Sequence, residues 1–205
     1  MTATAFCFLL LAGQSQAALP PVRIAVVPGG GSGMEQDVVD RITSQLQDNP
    51  SISLSTVNPE WYVVCNITEN LNQASGSIRY NGTVIIKTVS GQVLNTVATQ
   101  KYNQDFSLNP GAPMNKALVD GAAKDVIASL SQRALGPIQE AVVVEMDTRD
   151  HLIKAAVLGD QGKYKDAIET LHFVTPESPH FKTARQMIDQ FTKQWQIQQT
   201  KHRHH

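Results

Sequence analysis

The residues of this chain best suited to hold a ligand are the five at positions 29–33, Gly-Gly-Gly-Ser-Gly. They follow a β-branched run and open a helical pattern, the setting in which backbone amides grip an anion. Gly30, Gly31, Ser32 and Gly33 are therefore the anion-binding candidates. No Lys-Ser or Lys-Thr follows, as a phosphate loop requires, and Met34 stands where the third glycine of a dinucleotide loop would fall. The expectation is a flexible turn.

Other chemistry is sparse. His151, His172, His180, His202, His204 and His205 include no His-Glu-x-x-His pair,. Residues 201–205, Lys-His-Arg-His-His, read as a disordered basic tail within 200–205. Asp147 and Asp150 read as acids at a helix start, where they favour the helix dipole. Cys65 sits in the apolar run Trp-Tyr-Val-Val-Cys at 61–65 and reads as a buried strand cysteine. There is no Gly-x-Ser-x-Gly elbow. The expectation is a protein that is not an enzyme and carries no cofactor or metal.

A chain of 205 residues suits one medium domain or one domain with a small appendage,. With 17 basic and 18 acidic residues, the net charge is −1. That balance lacks the basic excess of a nucleic-acid binder, so no nucleic-acid partner is expected. Residues 1–17 read as an export signal. The apolar run at 5–12 is short of the ~20 residues that span a bilayer. Ser15-Gln16-Ala17 places small residues before a cut after Ala17. Position 18 is alanine and Cys7 lies inside the apolar run, so the expected product is exported, periplasmic, without a lipid and without a transmembrane segment.

Residues 22–27 form a β-branched run bounded by prolines and read as a buried strand. Ser32 and Glu35 make a capping box for a helix over 34–48, with Val38, Val39, Ile42 and Leu46 on one face. Asn49-Pro50 stops it, and 52–57 reads as a second strand. Residues 61–67 form the next strand, 68–76 a polar connection, and 78–89 a long strand with Asn81-Gly82 as a possible break. Ser90-Gly91 turns into a returning strand over 92–106. In that hairpin Thr88 faces Val93, Ile86 faces Asn95 and Val84 faces Val97, which puts Val84, Ile86, Val93 and Val97 on the core side. Residues 108–113 break the sheet. A second helix over 114–133 carries Leu118, Ala122, Val126 and Leu130 on one face. Gly136-Pro137 ends it, and 141–146 reads as a last strand.

Two sequons, at Asn66 and Asn81, matter only in a pathway that glycosylates; the second doubles as a turn signal.

From 150 onward the pattern is helical. Residues 150–174 resemble one tetratricopeptide-type hairpin, with Gly162 at the turn, Tyr164 packing across the pair and Ala167 small enough for close approach. The helix over 179–199 carries Phe181, Phe191 and Trp195, the candidate partner-binding residues. One and a half repeats do not make a free-standing solenoid, so this end must pack on the sheet domain, on a second copy or on a partner.

The layout over 23–133 begins with Ile-Ala-Val-Val-Pro, then a loop and helix. It continues through the hairpin Thr-Val-Ile-Ile-Lys-Thr-Val-Ser-Gly-Gln-Val-Leu to a helix after a proline-rich loop. It is similar to the α/β domain of three envelope groups: curli-secretion-pore subunits, lipoprotein activators of penicillin-binding proteins, and the amino-terminal domain of the Tol propeller protein. The anchoring cysteine and membrane-spanning hairpins of the pore subunits are missing. The resemblance implies an envelope adaptor or assembly factor that works by contact. The expected fold is α+β, with a signal at 1–17, a mixed sheet and two packed helices over 18–146, and repeat-like helices over 147–199. A homo-oligomer is compatible with this reading. The alternative function is binding of a small ligand or peptidoglycan fragment at the Gly29–Gly33 loop.

Overall fold

The computed structural model describes residues 19–30, 32–72, 74–103 and 115–203. The expected export signal, the sheet break at 108–113, Gly31 and the last two histidines lie outside the described residues.

Five strands form one mixed sheet: β1 (Val22–Pro28), β2 (Ile52–Leu54), β3 (Trp61–Asn72), β4 (Ser77–Thr88) and β5 (Val93–Asn103), in the order β2-β1-β3-β4-β5. β1 runs parallel to both β2 and β3, and the remaining pairs are antiparallel. Helix α1 (Gly33–Leu46) makes the crossover from β1 to β2. The capping box forms: the Ser32 hydroxyl accepts from the Glu35 amide, and the Glu35 carboxylate accepts from the Ser32 amide. Val38, Val39, Ile42 and Leu46 are buried, as their spacing predicts.

The core lies between one face of the sheet and two helices. Trp61, Val63, Cys65 and Ile67 on β3 alternate with half-buried neighbours, and Ile78, Tyr80, Val84 and Ile86 on β4 alternate with exposed or half-buried ones. Three sequence expectations shift here. β3 continues to Asn72, because polar residues 68–72 pair with β4 rather than form a connection. β4 runs unbroken through Asn81-Gly82; a Cβ at Gly82 would lie 2.8 Å from Leu130 Cδ2, so the glycine admits a helix side chain instead of making a turn,. The hairpin pairs Ile86 with Asn95 and Val84 with Val97, but Lys87 rather than Thr88 meets Val93. A bulge between Ile86 and Lys87 causes the shift and leaves Val93 exposed rather than in the core,.

The largest departure is α2 (Lys116–Asp160), one helix of 45 residues. It absorbs the expected stop at Gly136-Pro137, the expected strand at 141–146 and the expected first hairpin helix. Pro137 costs the helix about 3 kcal/mol. Ala134, Ile138, Val142 and Glu145 continue a buried face across it at helical spacing. Burying Ile138 and Val142 returns about 1.5–3 kcal/mol each, so packing overrides the local stop. Asp147 and Asp150 therefore lie inside a helix, not at its start. Asp150 pairs with Lys154 and Asp147 with His151.

Past α2, Gly162 turns the chain at φ 72° into α3 (Tyr164–Leu171), and α4 (Phe181–Arg203) closes the end. A second core forms from Ala155, Ala167, Leu171, Val174, Ala184 and Phe191. α4 extends through Thr200–Arg203, where a disordered tail was expected. Ala167 is fully buried in this core. Ala167→Leu is expected to cost about 1–3 kcal/mol by overpacking, read as a lower midpoint of thermal unfolding. An unchanged midpoint would mean that the helices do not meet there.

Candidate functional site

The glycine loop comes first. The Gly30 amide donates to Glu35 Oε2 at 2.8 Å and the Ser32 amide to the same oxygen at 3.2 Å. The Ile67 amide on β3 donates to Glu35 Oε1 at 3.0 Å. The Glu35 carboxylate thus stands where an anion would bind and ties the loop to the sheet. Gly33 is already the first residue of α1. With these amides taken, the geometry gives no support to a small-ligand reading of this loop. Cys65 is buried in the same core; burial, and then the Glu35 charge, push its thiol up to about 12. It stays a thiol at neutral pH and is no nucleophile.

Where α2 passes from the sheet core to the helical core, it carries a partly buried charge network. Glu145 is 4% exposed. Its Oε1 accepts from Arg149 Nε at 2.7 Å and lies 2.7 Å from His180 Nε2, on the approach to α4. Arg149 Nη2 donates to Glu60 Oε1 at 2.7 Å, just before β3. The Arg23 amide on β1 donates to Glu60 Oε2 at 2.9 Å. Gln92 Nε2 adds a bond at 2.9 Å to the Glu177 carbonyl. Three parts of the fold meet at one cluster. Burial raises the Glu145 pKa, but the hydrogen bonds and charges of His180 and Arg149 outweigh it and hold the carboxyl below its ordinary value. The hydrogen bond that His180 Nε2 donates to the Glu145 carboxylate holds the histidine above its ordinary value against the opposing effect of burial.

Beside the network a groove of about 240 Å³ opens between β5, α2 and the segment 175–179. Trp61, Leu94, Ala141, Val144 and Pro179 supply apolar walls, and Glu140, Glu145 and Glu177 supply carboxylates. Sequence reasoning missed this site. The i,i+4 pair Glu145–Arg149 signals a salt bridge only once the segment is read as helix, and the strand reading of 141–146 hid it.

The residues proposed from sequence fall at the helical end. Tyr164 and Phe191 stack with centroids 6.1 Å apart. A Cβ on Gly159 would come within 2.5 Å of Phe191 Cζ, so the missing side chain makes room for that ring. Phe191 is therefore spent on internal packing and is no free anchor. Phe181 is half-buried, and Trp195 is 36% exposed.

Fold and site together describe a mixed α+β protein with two cores joined along one helix and a groove at the junction. No family model matches the chain, and no curated protein does. Among solved structures it is similar to a PelC dodecamer from Paraburkholderia phytofirmans, at 14% identity and TM-score 0.35, over 60% of this chain and 90% of that one. A minor lipoprotein from Acinetobacter baumannii shows 17% identity and TM-score 0.28 over 55% and 94%. Lipoprotein B from Nitrosomonas europaea shows 11% and 0.31 over 58% and 81%. Two of the three are named lipoproteins, which runs against the expectation of a protein exported to the periplasm without a lipid; that expectation does not stand. The finer likeness to the curli, activator and Tol groups is not what these structures show. No helix among the described residues is long and apolar enough to cross a membrane.

Proposed function

We propose that this chain is a cell-envelope protein, an adaptor or assembly factor, that acts by protein–protein contact and not by catalysis. The observation that carries this reading is the apolar surface of the helical end. Phe173 is 70% exposed, and Ile153, Val157, Trp195 and Ile197 are exposed on α2 and α4. These five exposed apolar side chains at the helical end offer surface for an interface,. The export-type pattern of residues 1–17 supports the envelope setting, and the resemblance of the sheet to contact-working envelope proteins belongs to the same proposal. A second copy of the chain is one admissible partner.

The test is a photo-crosslinking residue at position 195, with position 40 on exposed α1 as control. Discrete adducts at 195 alone are expected in whole cells. No adducts, or the same adducts at both positions, would overturn the reading.

A further inference from the structure

We propose that the groove between β5 and α2 docks an extended segment of a partner protein and takes one of its lysine side chains. The inference rests on the contact reading above and names the chemistry of the partner. The apolar walls suit a four-carbon stem, and the carboxylates suit the ammonium at its end. Glu140 and Glu177 are exposed and their carboxylates make no ion pair or hydrogen bond among the described residues. At Glu145 both donors fall on Oε1, which leaves Oε2 without a donor among the described residues. That oxygen is not sealed off, since no buried side-chain oxygen among the described residues is left unpartnered. Arg149 does not compete for the incoming cation's place, because its guanidinium is committed to Glu145 and Glu60.

A lysine fits better than a cofactor. At about 240 Å³ the groove is smaller than the ~300–1,000 Å³ of ordinary ligand pockets,. A protein segment fits better than a free amine. Among the described residues β5 is an edge strand, and Leu94 and Asn95 at its start line the groove. A segment laid along that edge can pair its backbone with β5 and turn alternate side chains into the groove.

The test uses a fluorescein-labelled heptapeptide, Ser-Val-Thr-Lys-Val-Thr-Ser, read by anisotropy. A second peptide carries acetyl-lysine, which keeps the stem and removes the charge. The lysine peptide is expected to bind, with the acetylated one about tenfold weaker. Glu140→Gln with Glu177→Gln is expected to weaken the lysine peptide about tenfold while leaving the circular dichroism melt unchanged. Equal binding of both peptides, no binding by the parent, or full binding by the double variant would overturn the proposal. Adducts at position 195 alongside any of these results would leave the contact reading standing, whereas loss of those adducts would overturn that reading instead.

Discussion

Replacing Glu35 with alanine is expected to lower stability by about 2–4 kcal/mol, a fall of about 4–16 °C in the unfolding midpoint. The carboxylate accepts from the amides of Gly30, Ser32 and Ile67. The Gly30 and Ser32 amides lie in a partly exposed loop and can turn to water. The Ile67 amide is in the buried part of β3 and cannot, so it pays the full cost of an unmade hydrogen bond. Glu35→Gln keeps one acceptor oxygen but turns an amide group toward other amide donors. It is expected to fall within about 1 kcal/mol of the alanine variant. With the carboxylate gone, the loop amides face an open anion site. Inorganic phosphate is then expected to raise the midpoint of Glu35→Ala and to leave the parent's unchanged. A midpoint for Glu35→Ala within about 2 °C of the parent would show that the carboxylate does not hold the loop.

This residue also shows what the sequence could reveal. The capping box was legible because Ser32 and Glu35 are three apart and both halves of the device are local,. The second use of the same carboxylate, at Ile67, is 32 residues away and leaves no mark on local spacing. The strands were legible for a similar reason. Val84, Ile86 and Val97 alternate toward the core, whereas the bulge that turns Val93 outward depends on how β5 meets β4.

At Gly136-Pro137 and at 141–146, local signals and tertiary packing disagree. A proline and a β-branched run both argue against helix, and a buried face through Ile138 and Val142 overrides them,. That reversal also hid the site. Glu145 and His180 are 35 residues apart, and Glu60 and Arg149 are 89 apart. Only a continuous α2 brings them together.

The same network makes the junction of the two cores sensitive to pH. Arg149→Met is expected to cost about 2–4 kcal/mol, less than a fully buried pair because Arg149 and Glu60 keep side-chain exposures of 15% and 28%,. It would leave Glu145 with His180 alone and deprive Glu60 of its closest cation. The groups facing His180 are Glu145 and Arg149 from α2 and Glu60 from the approach to β3. His180 is raised in the folded protein, so its contribution is whole below its ordinary value of 6.5 and is lost as pH rises through the folded value,. Glu145 is lowered, so its contribution is whole above its ordinary value of 4.5 and is lost as pH falls through the folded value,. The network is therefore strongest between pH 4.5 and pH 6.5. In that window His180→Gln is expected to cost about 1–2 kcal/mol. The gap from the parent should close at alkaline pH, where the histidine of the parent is neutral. Hydrogen exchange in the first turns of α4 should quicken over the same range, because the latch that holds them to α2 weakens. A gap that stays constant from about pH 5 to about pH 9 would mean that the charge on His180 does not hold the two cores together.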